Sequence, residues 1–171
     1  MLLQTAMEQM ATSAPEAAAD MGATITHYMG LLMDNQPWNL FIFMAIPVIL
    51  AETLTVSEFF VIFRRLYDGK LREFNRWVGT VLGIYFLGVF LYLMAFVVPG
   101  IAWRGIIDVF SVGFYLSGVI FLFGITLTEM KIIGKKYDNE KRMQLHFILL
   151  AGFLVVAHIA MIFGMANPTL I

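Results

Sequence analysis

The sequence predicts an all-α integral membrane protein, in which an up-down four-helix transmembrane bundle follows an N-terminal amphipathic helix. Two observations lead to this fold class. Hydrophobic residues make up 60% of the 171 residues and charged residues only 13%, against about 25% charged residues in soluble globular domains. A chain of this composition lacks the polar residues to cover a soluble surface, and its apolar content excludes intrinsic disorder. The second observation is the length of its apolar stretches.

Four apolar stretches within residues 38–171 predict the bundle helices. Each approaches or exceeds the roughly 20 residues that a helix needs to cross the hydrocarbon core of a bilayer. Backbone polar groups in lipid must bond internally, which favours helices for these segments. The predicted spans are about 38–63, 77–98, 106–130 and 145–165.

The basic residues predict the orientation of these helices. All 11 Lys and Arg residues follow residue 63. All but Arg104 lie between the first and second stretches or between the third and fourth. The positive-inside rule makes that side cytoplasmic. We therefore expect a multi-pass membrane protein with both termini on the opposite side, which is the periplasmic side if the source is a Gram-negative bacterium. Trp38, Trp77 and Trp103 fall near predicted helix starts, where interfacial aromatic residues are expected.

Residues 1–37 form a separate segment with four acidic residues and no basic residue. They lack the positive n-region and continuous apolar run of a signal peptide. The Ser13–Glu16 stretch is typical of a capping box and predicts a helix start. Apolar residues then recur at helical spacing as far as Leu32. This pattern predicts an amphipathic helix that lies on the outer membrane face or docks on a partner protein.

Two ionisable residues at membrane depth form the candidate ligand site. Glu52 is placed near the midplane of the first span, and His158 near that of the fourth. An ionisable side chain in lipid suggests a function by default because it is costly there. Pro47 also frees the Phe43 carbonyl and kinks the helix beside Glu52. The other candidate residues for this site are Thr55, Tyr85, Tyr115 and Met161.

The ligand of this site stays open between several chemistries. Glu52 and His158 could hold a transition metal, since imidazole and carboxylate suit iron, zinc or manganese. His158 could instead ligate a single haem, or the polar residues could serve a proton-active small molecule. The alternative is structural: Glu52 and His158 bond each other and fix the helix register.

Three further polar residues, Glu58, Glu129 and His146, are placed near the cytoplasmic interface. We interpret them as a wet polar network beside the basic loops. His27 is interpreted as a surface residue that could cap an outer site if the N-terminal helix folds over the bundle. Small residues such as Gly79 and Gly83 favour close helix packing within the monomer or a homo-oligomer contact.

Three stretches resemble a family of small bacterial inner-membrane proteins of unknown function. They are Trp38–Leu40 through Pro47 to Glu52, Phe74–Gly79, and Val155–Met161. The resemblance covers roughly residues 27–165. It implies a four-helix bundle in the bacterial inner membrane and no particular activity.

The expected function is that of a small membrane binding or accessory protein with the buried polar site of Glu52 and His158. The alternatives are a structural subunit of a larger membrane complex and a small ion or proton conductor formed by oligomerisation. The lipid bilayer is the expected partner, and a net charge of −1 disfavours nucleic acid. An enzyme is the least supported class, because the chain has no catalytic motif and no cysteine.

Overall fold

Five helices make up the part of the chain that the computed structural model describes, residues 24–168. In chain order they are α1 (His27–Met33), α2 (Trp38–Phe63), α3 (Lys70–Gly100), α4 (Ile106–Glu129) and α5 (Asn139–Met165). The last four are long and apolar enough to cross a membrane, with mean hydropathies of 2.1 to 2.5. The all-α prediction of a four-helix membrane bundle is confirmed. The capping box at Ser13–Glu16 lies outside the described residues.

Helices that follow each other in the chain pack side by side. Helix α4 contacts both α3 and α5 extensively, whereas α2 packs on α3 and meets α5 only slightly. The middle of the bundle is filled by apolar side chains from all four helices. The largest of these are Leu54, Leu82, Phe86, Leu122, Ile125, Leu150 and Phe153. The polar groups inside the bundle therefore lie toward its two ends.

Helices α3 and α5 begin earlier than the apolar stretches predict. Helix α3 starts at Lys70 and α5 at Asn139, about two turns before the predicted starts at residues 77 and 145. Hydropathy marks only the part of a helix that is apolar, and the first turns of both helices are polar. The Asp138 side chain caps α5 by accepting a hydrogen bond from the Asn139 N–H at 2.7 Å.

We call the end of the bundle that carries loops 64–69 and 130–138 the basic end. Both helices that arrive there terminate in the same way. The Leu66 N–H bonds the Val61 carbonyl, and the Ile132 N–H bonds the Leu127 carbonyl, both at 2.9 Å. These are Schellman motifs, with Arg65 and Lys131 in the left-handed position that glycine usually takes. A cation beside a helix C-terminus also interacts favourably with the helix dipole.

At the other end, α1 folds onto the bundle. Tyr28 and Leu32 on its apolar side are buried against Phe43, Val89 and Leu93. Thr26 fastens the start of the helix, since its hydroxyl donates to the Gly164 carbonyl of α5 at 2.7 Å. The chain's own bundle therefore covers this apolar side, where we had expected the membrane surface or a partner protein.

Two glycines of α3, Gly79 and Gly83, serve packing inside the monomer. A Cβ on Gly83 would collide with the Thr126 hydroxyl and the Leu122 backbone of α4. A Cβ on Gly79 would lie 3.0 Å from Nε2 of His146 on α5. These two small residues let α4 approach closely and make room for a buried imidazole.

Candidate functional site: a buried carboxylate–histidine cluster

Three titratable side chains meet inside the basic end of the bundle. His146 of α5 lies between Glu58 of α2 and Glu129 of α4. Its Nδ1 is 3.0 Å from Oε1 of Glu58, and its Nε2 is 3.5 Å from Oε1 of Glu129. Glu58 and His146 are fully buried and Glu129 is 2% exposed. We call these three residues the acid–histidine cluster.

Helix α3 supplies the polar residues that surround this cluster. Arg72 donates to Oε1 of Glu129 at 2.6 Å and to the Asn75 side chain at 3.0 Å. Asn75, which is fully buried, donates in turn to the Ser57 hydroxyl at 3.2 Å. A chain of polar contacts thus connects all four long helices.

Sequence reasoning placed Glu58, Glu129 and His146 near one interface but missed Arg72, Asn75 and Ser57. The structure brings the first three together in a buried position, where we had expected a wet network. The signal for the missed residues was present in α3. Arg72, Asn75 and Gly79 follow each other at spacings of three and four, which puts them on one helix face.

The hydrogen bonding of the cluster is incomplete. Oε2 of Glu58 and Nε2 of His146 are buried and have no hydrogen-bond partner among residues 24–168. Buried polar atoms are nearly always paired, so each exception needs an explanation. Both atoms can carry a proton, and Nε2 of His146 already points to within 3.5 Å of Glu129. With a proton on Nε2, a small shift of the ring would give that nitrogen Oε1 of Glu129 as an acceptor.

The charges of the cluster depend on one proton. With Arg72 positive, His146 neutral and both carboxylates ionised, these four side chains carry one net negative charge, and one added proton on Glu58 or on His146 neutralises it. The imidazole has carboxylate oxygens next to both ring nitrogens. It can therefore accept a proton from one side and release it on the other, which is the chemistry of a proton relay.

Glu52 and His158 lie elsewhere, and the monomer does not bring them together as the predicted buried pair. Both side chains are exposed on the outside of the monomer. Glu52 lines a shallow groove with Leu71 and Phe74 of α3. Nδ1 of His158 lies 2.7 Å from the carbonyl of Leu154, one turn earlier in its own helix.

The physical reason is the rotation of α2 about its axis. Glu52 and Glu58 are about 120° apart around the helix, so only one can point inward, and Glu58 does. The Thr55 hydroxyl bonds the Ala51 carbonyl of its own helix at 2.8 Å. Among residues 24–168, no three His, Asp or Glu side chains are placed to hold a metal ion.

The two tyrosines of the predicted site bond the backbone of α2. Tyr85 donates to the Ile42 carbonyl at 2.8 Å, and Tyr115 donates to the Phe43 carbonyl at 2.6 Å. These carbonyls lie five and four residues before Pro47, which has no N–H to offer either of them. The helix forms a π turn over Phe41–Ala45 just before the proline. The carbonyls that Pro47 leaves free thus fasten α2 to α3 and α4.

Met161 is half-buried and lines an apolar groove of about 420 Å³ between α2, α4 and α5, together with Tyr115 and Pro47. Neither Glu52 nor His158 lines this groove. Of the predicted ligand-site residues, the structure therefore brings Tyr115 and Met161 near each other and leaves the two ionisable residues apart.

A second ionisable pair lies at the end of the bundle opposite the basic end. Asp108 at the start of α4 is fully buried. It accepts from the His27 backbone N–H at 2.7 Å, and its other oxygen lies 2.5 Å from Nδ1 of His27. Arg104 donates to the Ile25 carbonyl at 2.7 Å. His27 is thus a docking residue for α1 and not the ordinary surface residue that we had expected.

This fold and this cluster define a small all-α membrane protein of four long helices, with ionisable side chains buried inside one end. The chain belongs to a family described as "Family of unknown function (DUF6803)", which matches residues 23–171. The sequence resemblance to an uncharacterised family is thereby confirmed. No curated protein and no solved structure matches the chain.

Proposed function

We propose that the protein is a small accessory membrane protein whose acid–histidine cluster binds and exchanges protons. One observation carries the proposal. Glu58, His146 and Glu129 are buried together, and Oε2 of Glu58 and Nε2 of His146 have no hydrogen-bond partner among the described residues. Ionisable groups inside membrane helices are costly, and they commonly mark proton or ion sites.

The order of contacts suggests the route of the proton. Glu129 lies at the end of α4 and is bonded by Arg72, which lines a solvent-open pocket at the basic end. A proton that enters beside Glu129 reaches Glu58 through the two nitrogens of His146. The cluster then switches between a state with one shared proton and a state with two.

A proton suits this site better than a metal ion or a haem. Each nitrogen of the His146 ring already faces a carboxylate oxygen. Gly79 and Ile125 pack closely around the ring at the start of the bundle core, so a macrocycle has no space there. The donors do not converge on one point, as a metal site requires.

We further propose that the basic end faces the cytoplasm of a bacterial inner membrane and that both termini lie on the opposite side. The support is the placement of ten of the 11 Lys and Arg residues at one end of the bundle. The cluster would then exchange protons with the cytoplasm. The apolar core between Glu58 and Asp108 disfavours conduction of ions through a single bundle.

A second function has its own support. Glu52 and His158 are exposed on the lipid-facing outside of the monomer, and a charged group in that position costs about 2.5 to 3.5 kcal/mol on insertion scales. A neighbouring membrane protein, or another copy of this chain, would cover them. The protein would then act as a subunit of a larger membrane complex, and its acid–histidine cluster would exchange protons within that complex.

Infrared difference spectroscopy between two pH values tests the proposed proton site in purified protein reconstituted in lipid. We expect a carboxyl band of the protonated form that changes with pH in the wild type and is lost in Glu58→Gln. The matched control is Glu52→Gln, because it removes the same group from an exposed position on the same helix.

A parallel comparison sets His146→Gln against His158→Gln on α5. Only the first should shift the pH at which the carboxyl band changes. If Glu58→Gln and Glu52→Gln give the same spectra as the wild type, the buried cluster exchanges no protons and the proposal is wrong. If Glu52→Gln alone removes the band, the exposed carboxyl is the proton site instead.

A further inference from the structure

A polar pocket at the basic end lies outside the acid–histidine cluster. It opens between the start of α3, the end of α4 and the start of α5, and it encloses about 1030 Å³ of empty space that is open to solvent. Its lining is rich in cations, which project from two helices and a loop. These cations are Lys70, Arg72, Arg76, Lys131 and Arg142.

The charges of the lining leave the pocket positive. Its five cations face three carboxylates, so the formal balance is +2. Glu129 is already occupied by Arg72 at 2.6 Å, and Asp68 accepts from the Asn139 side chain at 2.8 Å. Nε of Arg142 is buried and finds no hydrogen-bond partner in the part of the chain that the structure describes. The pocket therefore offers donors to an anion.

The helix that begins at the pocket adds to this field. Helix α3 starts at Lys70, and its N-cap residue Gly69 has no side chain to cap the first N–H groups. Uncapped N–H groups and the positive end of the helix dipole attract anions, and phosphate groups are bound at such positions in many proteins. Here the helix terminus, the arginines and the lysines all line the same space.

The loop beside the pocket is suited to a lipid surface. Ile132 and Ile133 are 56% and 44% exposed, and they stand between Lys131 and the pair Lys135 and Lys136. Exposed apolar residues between cations are typical of segments that bind anionic membranes. This arrangement favours a phosphate group that is attached to acyl chains over a free phosphate ion.

We propose that this pocket binds the phosphate group of an anionic phospholipid, with the acyl chains beside the exposed loop residues. Arg142 and the start of α3 bond the phosphate, and Lys70 and Lys131 hold the negative charge from either side. The site is independent of proton exchange by Glu58 and His146, although Arg72 and Glu129 border both.

Native mass spectrometry of the full-length protein in a neutral detergent tests this proposal. The probes are phosphatidylglycerol, phosphatidylcholine as the zwitterionic reference, and inorganic phosphate. We expect the wild type to bind phosphatidylglycerol in preference to phosphatidylcholine. Each cation removed should weaken binding about fivefold, so Lys70→Gln with Lys131→Gln should weaken it about 25-fold.

The matched control is Arg64→Gln with Lys141→Gln, which removes the same charge from exposed residues of the basic end that neither line the pocket nor belong to the loop beside it. Screening by salt limits the effect of such distant charges, and we expect a loss of less than about threefold. Arg142→Gln tests the buried donor directly. Should that variant fail to fold, the Lys70 and Lys131 variant still decides the outcome, because both of its residues are at the surface.

Three results would overturn the proposal. Equal losses of phosphatidylglycerol binding in the two double variants would mean that the lipid is attracted by the general surface charge and not by the pocket. No preference for phosphatidylglycerol over phosphatidylcholine would exclude an anionic headgroup. Binding of inorganic phosphate that depends on Lys70 and Lys131, without a lipid preference, would make free phosphate the ligand. None of these results depends on whether the acid–histidine cluster exchanges protons.

Discussion

The alanine variant of His146 gives the most informative perturbation of the buried cluster. The imidazole has no exposed surface, and its Nδ1 lies 3.0 Å from Oε1 of Glu58. Removal of the ring deprives the Glu58 carboxyl of its hydrogen-bond partner, since within the described part of the chain its Oε2 has none. We expect the variant to fold but to lose a large part of its stability.

The expected loss follows from the contacts of the ring. A hydrogen bond to a charged group contributes about 1.5 to 3 kcal/mol, and removal of one partner from a buried pair costs about 3 to 5 kcal/mol in total. His158→Ala is the control, because its ring is exposed and its Nδ1 lies beside a backbone carbonyl of its own helix. That variant should change the free energy of unfolding by less than about 0.5 kcal/mol.

The assay is reversible unfolding in mixed micelles, in which the SDS fraction is raised and helix content is followed by circular dichroism. Glu58→Gln is measured alone and together with His146→Ala, which completes a double-mutant cycle. Residues in direct contact couple by about 0.5 to 3 kcal/mol, and we expect a value in the upper half of this range. The same cycle with Glu52→Gln and His158→Ala should give a coupling energy near zero.

Two results would refute this reasoning. If His146→Ala and His158→Ala destabilise the protein equally, burial of the first ring has no energetic consequence. If Glu58→Gln and His146→Ala are additive, the two side chains do not interact in the folded protein, whatever the size of the single effects.

Three further predictions concern packing, the α2 backbone and pH. Gly83→Ala should lower the free energy of unfolding by about 1 to 3 kcal/mol because its Cβ meets the α4 backbone. The added Cβ of Gly88→Ala on the same helix meets nothing within 4 Å, so this variant should be neutral or stabilising in the same SDS titration. Tyr115→Phe should lower the free energy of unfolding by about 1 kcal/mol. Tyr85→Phe should lower it by less, because its hydrogen bond is exposed. Amide hydrogen exchange in the π turn should become faster in both variants. Burial raises the pKa of Tyr28 from 10.0 to about 12, so the stability that depends on its neutral form is complete below pH 10.0 and is lost as the pH rises through about 12. An absorbance titration of tyrosinate should show an ionisation near pH 12 in the wild type that Tyr28→Phe lacks.

The sequence was sufficient for the membrane helices because their signal is length and hydropathy, which do not depend on packing. The predicted span 38–63 coincides with α2 (Trp38–Phe63). The first turns of α3 and α5 were missed because they are polar and lie before the apolar stretches. Arg72 and Asn75 belong to those turns, so part of the site was invisible to a hydropathy argument.

The inward face of each helix could not be predicted in the same way. In α2, apolar residues surround the axis on every side, and the pattern does not say whether Glu52 or Glu58 points inward. Only the neighbours decide this, because His146 and the space left by Gly79 lie opposite Glu58. The consequence of Pro47 was predictable in part: a free Phe43 carbonyl was expected, but its donor, Tyr115, comes from a distant helix.

Nuclear magnetic resonance of the histidine rings tests most directly whether the acid–histidine cluster shares an exchangeable proton. The chain has three His residues, so protein labelled with ¹⁵N-histidine gives few signals, and His146→Gln assigns the buried one. We predict that the ring nitrogens of His146 respond to pH while the protein stays folded and that Glu58→Gln changes this response, whereas Glu52→Gln leaves it unaltered. Ring signals of His146 that are independent of pH and unaffected by Glu58→Gln would contradict the proposal.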